Sequence, residues 1–181
     1  MATTATPATG TAAVGAMPSP KAQFLQTFES EHATTMRVLR AYPKDKLDLV
    51  PHPKCKSARD LAWVFVLEAG LTEKVLKNEL KFPPEGAPPR APDSFDAILA
   101  EIEGAHQRVA LLVEKMRDEE LFRTVKFPVG PKTMGDVPTI QFLWFILCDA
   151  IHHRGQFSIY LRMADGKVPS IYGPSLDEPW F

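Results

Sequence analysis

QFLWFILCDAIHHRGQFSIYLRMA, from Gln141 to Ala164, reads as one long helix whose apolar face carries an acid and a histidine one turn apart. With His153 as the zero direction and about 100° per residue, Phe142, Ile146, Ala150, Phe157, Tyr160 and Ala164 fall within about 60° of it. Asp149 sits about 40° away on the same stripe. An apolar stripe normally faces a core, where an unsatisfied charge is expensive to desolvate. A carboxylate and an imidazole at i and i+4 have the spacing of metal ligands. They also have the spacing of a structural Asp–His ion pair, and a buried histidine can bond a backbone carbonyl instead.

Working outward, three further helices are expected. The first runs from about Lys21 to Ala41, with Leu25, Phe28, His32, Met36 and Leu39 at the 3–4 residue spacing of one buried face. His32 lies in the middle of that face. The second starts at Ser57, an N-cap residue, and runs to about Leu80. Its inner stripe is Leu61, Val64, Phe65, Glu68, Leu71, Thr72 and Val75, with the Glu68 carboxylate among apolar neighbours. The third opens at Asp93 or Ser94 and continues to about Met116 on Phe95, Ile98, Ile102, Val109 and Leu112, with His106 at the margin of its buried face.

Pro43 to Lys56 and the proline-rich Lys81 to Pro92 are connections. Leu121 to Met134, around Val129-Gly130-Pro131, has the makings of a short hairpin. Thr139 is expected to cap the last helix and Asp165-Gly166 to end it. The closing segment carries Tyr172, Trp180 and Phe181, enough aromatic surface to expect packing on the bundle. Residues 1–20 lack a basic start and an apolar core, which excludes a secretory signal, and read as a disordered tail. Residues 21–181 then form one domain, an all-α four-helix bundle with long connections and a packed C-terminal tail.

The chain has 181 residues, 45% of them hydrophobic, and a formal charge of −1. Without a basic stripe, neither nucleic acid nor an anionic membrane is expected as a partner. No apolar run spans a bilayer, and the expected location is cytoplasmic. The two cysteines, Cys55 and Cys148, do not suggest a disulfide framework. No P-loop, dinucleotide fingerprint, GxSxG elbow or HExxH is present.

Three helices thus place metal-capable residues inside apolar stripes: His32, Glu68, and Asp149 with His153. Converging in a bundle core, Glu68, Asp149 and His153 would hold a divalent first-row metal such as Zn, Ni or Fe. Three protein ligands leave coordination positions open, as in catalytic sites. The competing reading is a buried hydrogen-bond network that fixes helix register. Opposite the stripe lie Trp144, Leu147, Cys148 and Ile151, with Gly155 just beyond. Either the tail or a two-fold copy of the helix is expected to cover them. A pair would bury roughly 1,200–2,000 Å².

At HHRGQFSIYLRMADGKVPSIYGPS the chain resembles the DinB/YfiT-like family, named from damage-inducible bacterial genes; the resemblance runs from about Ala22 to Phe181. It implies a four-helix bundle, often dimeric, with a divalent metal held by one histidine of the second helix and two, spaced HxxxH, of the last. Characterised members include thiol-dependent S-transferases and the mycothiol-dependent maleylpyruvate isomerase. The expected activity is therefore metal-dependent hydrolysis or S-transfer, with a low-molecular-weight thiol as an additional cofactor. The final family ligand falls on His153 and the preceding one on Asp149. The second-helix histidine falls on Val64, which cannot ligate; Glu68, one turn on, can substitute, with His32 in reserve. His32 and Tyr160 are expected to line the pocket as proton donors. The alternative is a non-catalytic dimeric bundle with a degenerate metal site that binds a small ligand.

Overall fold

The computed structural model describes residues 17–81 and 86–181. Four long helices, α1 (Pro20–Arg40), α2 (Ala58–Leu76), α3 (Phe95–Lys115) and α4 (Thr139–Met163), carry the fold. The expected disordered tail lies outside the described residues for 1–16. Its last residue belongs to α1, since Ser19 caps that helix by accepting from the Ala22 amide and Pro20 opens it.

The purely all-α expectation is corrected by a small antiparallel hairpin, β1 (Thr124–Gly130) paired with β2 (Thr133–Pro138). Lys132 takes a positive φ of 56° at its turn. Val125 packs with Val75 and Phe142, and Phe127 meets the Phe142 ring edge-on at 4.9 Å. The hairpin completes, beside Val75 and Leu71 of α2, the cover over the apolar start of α4.

The helix ends follow their local chemistry. Ser57 and Ser94 cap α2 and α3 by accepting from the Asp60 and Ala97 amides. The second helix stops short of the expected Leu80 because Asn78 adopts a φ of 60°. The Glu79 amide then bonds back to the Lys74 carbonyl, the closing bond of a left-handed C-cap. Thr139 is not the expected cap. It is the first residue of α4, and its hydroxyl donates to the Arg123 carbonyl. At the other end Asp165, with φ 62°, makes the reversal, and Gly166 presses so closely on Leu161 that a Cβ there would collide with it.

Helix α1 packs on α3 and α4, and α2 packs on α3 and α4. Phe24 meets Trp144, while Arg37 near the other end of α1 reaches Ser170 beyond α4, so α1 and α4 run parallel. Tyr160 near the end of α4 bonds Lys56 just before α2, which makes that pair antiparallel. The α1–α2 and α3–α4 connections therefore cross the bundle, which is why they are long.

This arrangement corrects the expected patch on α4. Trp144, Leu147 and Ile151 pack with Phe24, Leu76 and Val109 inside the bundle, because α4 is held between α1 and α2. Cys148 and Gly155 are exposed. Nor do the tail aromatics cover the patch: Trp180 and Phe181 remain largely exposed. Polar bonds fix the tail instead, with Asp177 accepting from Arg162 and from the Val168 amide.

Arg154 is buried, although an arginine on a helix reads as a surface charge. It is only 1% exposed and pairs with Glu31 at 2.6 Å, donates to the Glu31 carbonyl, and reaches the Tyr172 hydroxyl. The Tyr172 hydroxyl in turn donates to Glu31. One guanidinium thus ties α4 to α1 and to the tail. Removing one partner of a buried pair leaves an uncompensated charge, costing about 3–5 kcal/mol. Arg154→Leu is expected to lower the thermal midpoint by roughly 10 °C, with part of the loss recovered on adding Glu31→Gln. Thermal unfolding followed by circular dichroism checks this, and an unchanged midpoint would contradict it.

Candidate metal centre

Glu68 sits on the inner stripe of α2 and is 9% exposed, with Val64, Phe65, Thr72 and Val75 buried around it. Helix periodicity places its carboxylate at the antiparallel seam with α4. There His153 Nε2 lies 3.2 Å from Glu68 Oε1 and 3.8 Å from Asp149 Oδ2. One ligand atom from each of the three side chains lies within 4.8 Å of the others. Asp149, with a side chain 42% exposed, forms the solvent side, while His153 is mostly covered.

Both Glu68 oxygens are buried without a hydrogen-bond partner. His153 Nε2 is near Oε1 but does not satisfy it directionally. Burial first, and then the charge of the neighbouring Asp149 carboxylate and the hydrogen bond that protonated Glu68 can donate to it, raise the Glu68 pKa to about 9. The group is thus protonated at neutral pH unless a cation sits beside it. Such an orphaned acid is what a metal ligand without its metal looks like.

The histidine is prepared for the same task. His153 Nδ1 is 3.0 Å from Gln156 Oε1, so an Nδ1–H donating there leaves the Nε2 lone pair directed at the two acids. Gln156 is itself held by His152, with its amide nitrogen 2.9 Å from His152 Nε2. Ligand atoms about 2.1 Å from a tetrahedral ion lie about 3.4 Å apart. The spacings at Glu68, Asp149 and His153 straddle that value, so the residues fit a divalent cation with room for further ligands.

The other expected residues fall elsewhere. His32 does face the bundle interior and lines a cavity that Glu68 also lines. Its Nε2 bonds Glu103 at 2.9 Å, and its ring stacks on His106 at 3.7 Å. Tyr160, expected in the same pocket, is not among its lining residues. Its hydroxyl donates to the Lys56 carbonyl at the far end of the seam. His106 is buried rather than marginal, bonded to Glu29 at 3.0 Å, and burial with the adjacent His32 lowers its pKa. The i, i+4, i+7 series Ile102, His106, Val109 carried that signal. Val64, in the position where the resemblance places a histidine, is a buried core residue.

The Glu68 pKa fixes a pH dependence. Its folded value, about 9, lies above the ordinary 4.5, so the metal-free folded chain holds a proton that the unfolded chain has released. That contribution is full below about pH 4.5 and is lost as pH rises toward 9. Glu68→Gln should abolish this part of the decline, leaving the metal-free variant the more stable form at roughly pH 8. Urea midpoints between roughly pH 5 and 9 report it, and parallel curves for the two proteins would refute the assignment.

Residues 17–180 match the DinB family. The chain is 25% identical over 159 residues to the uncharacterized protein YrdA of Bacillus subtilis, covering 86% of this chain and 89% of that one. In three dimensions it is similar to a DinB-like protein of Bacillus cereus, with TM-score 0.69 and 23% identity, covering 82% of this chain and 95% of the other. It is also similar to the DinB-like protein YjoA of Bacillus subtilis, with TM-score 0.63 and 17% identity, covering 87% and 99%. The bundle and the match over nearly its whole length lead to one conclusion: the chain belongs to the DinB family.

Proposed function

We propose that the protein is a metal-dependent enzyme, of hydrolase or thiol S-transferase type, with a divalent metal held by Glu68, Asp149 and His153. The observation that carries this is the buried Glu68 carboxylate, both of whose oxygens lack partners, beside the free Nε2 of His153. The mixed nitrogen and oxygen donor set suits Zn, Ni or Fe. Bound there, such an ion would supply Lewis acidity that lowers the pKa of a water or thiol.

The chain's own residues do the rest. Glu68 is kept from solvent by the core of α2, so it gives up its proton when a cation arrives. Gln156 holds the tautomer of His153. Asp149, the exposed member, leaves the site open toward solvent on its side. The structure contributes no proton donor at Tyr160, whose hydroxyl is spent on Lys56; His32 remains the candidate, from within the cavity.

A second reading, a non-catalytic binder with a degenerate site, is favoured by one feature, the valine at position 64. Either reading accommodates a homodimer through α4. With Trp144, Leu147 and Ile151 inside the bundle, the available face is the exposed one of Phe145, Cys148, Ile159 and Met163 around Gly155. Sedimentation at micromolar concentration tests the pair, which a strict monomer would exclude. Among the described residues no helix is long and apolar enough to cross a membrane.

Metal binding is tested on protein purified without a histidine tag. Wild type should carry or take up about one metal ion per chain, and His153→Ala should not. At a hundredfold excess over Kd, binding adds about 2.7 kcal/mol, a rise in thermal midpoint of roughly 5–10 °C. Equal metal content in the two proteins would rule the site out. Binding should also expel about one proton from Glu68 near neutral pH, seen as a titration enthalpy that changes with the buffer and loses that dependence in Glu68→Gln.

A further inference from the structure

Behind Glu68, in the middle of the bundle, lies a cavity of about 70 Å³ to which all four helices contribute. Phe28, Phe65, Ile102, Val109 and Leu147 are among its walls. The polar groups that border it are nearly all committed. The Thr72 hydroxyl donates to the Glu68 carbonyl, Thr35 accepts from Arg154, and His32 and His106 bond Glu103 and Glu29. Glu31 pairs with Arg154. The Glu68 carboxylate is buried with both oxygens unpartnered, and it belongs equally to the cluster with Asp149 and His153. A buried water needs two to four polar partners, and away from Glu68 the walls are mainly phenylalanine, isoleucine, valine and leucine side chains. They suit hydrocarbon.

We propose that this cavity receives a short, uncharged hydrocarbon group of the molecule whose polar end lies at Glu68, Asp149 and His153. The inference rests on the reading of those three residues as the functional site and names the class of substrate it takes. A cavity of about 150 Å³ holds a benzene ring, so this one holds about two or three carbon atoms. The α1–α3 seam lies across the bundle from the α2–α4 seam, and there the stacked imidazoles of His32 and His106 separate the cavity from an outer groove that they also line. The substrate class is thus a molecule with an ethyl- or propyl-sized group beside its reacting atom, and an aromatic ring or long acyl chain is excluded.

Two measurements on the full chain decide it. Xenon under pressure, followed by methyl NMR on metal-free protein, should shift Val109, Leu143 and Leu147, and Val109→Leu, which fills the space, should weaken the shifts. Straight-chain thiols titrated into zinc-loaded protein should gain about fourfold in affinity per methylene up to propanethiol and then lose it. Leu147→Ala, which enlarges the cavity, should move the optimum to a longer chain. Failure of zinc to bind while xenon enters would remove the metal reading and leave the pocket standing. Absence of xenon shifts, or thiol affinities independent of chain length, would overturn the proposal.

Discussion

Burial of the Glu68 carboxylate between α2 and α4 is the constraint around which this molecule is arranged. Helix packing of Leu61, Val64, Phe65 and Val75 forces the side chain at position 68 inward whatever its chemistry. A buried acid whose oxygens no donor satisfies is costly, and a hydrophobic residue of the same volume would serve a bundle better. The surroundings do not relieve that cost with protein donors. They supply a second acid, Asp149, which opposes ionisation of Glu68, and an imidazole nitrogen set up by Gln156 to act as a lone pair. A network meant only to fix register would be expected to satisfy its own atoms.

The same helix, α4, has to serve two neighbours at once. One side meets α2 with Asp149 and His153; the next meets α1 through Trp144, Leu147, Ile151 and Arg154. With α1 parallel and α2 antiparallel to it, both crossing connections must be long. The prolines between Pro43 and Lys56 keep the first of them free of α-helix, and the second carries the hairpin. The hairpin adds to the cover that α2 gives Phe142 at the start of α4, and the tail is pinned through Tyr172 and Asp177 rather than by packed aromatic rings.

Much of this is legible in the sequence because period and capping act locally. Ser57 and Ser94 mark their helix starts, and the Glu68, Asp149 and His153 positions follow from stripe phase alone. What escaped depends on long-range choices. Arg154 reads as a surface charge until α1 is known to lie beside α4, although Leu143, Leu147 and Leu161 trace the stripe it shares. His106 reads as marginal because the phase of α3 leaves it between faces, and stacking on Phe28 and His32 decides the matter. Tyr160 shares a stripe with His153 but lies two turns away, so a common direction did not mean a common pocket. The second apolar side of α4 is covered within its own bundle, which helix phase alone does not distinguish from cover by a partner.

The central claim is that the orphaned Glu68 carboxylate is a metal ligand. Crystals grown with zinc and measured on both sides of its absorption edge test it most directly. The account predicts one anomalous peak about 2.0–2.2 Å from a Glu68 oxygen, an Asp149 oxygen and His153 Nε2. Strong peaks only at exposed groups such as Cys148 or His152, with Glu68 still unligated, would contradict it.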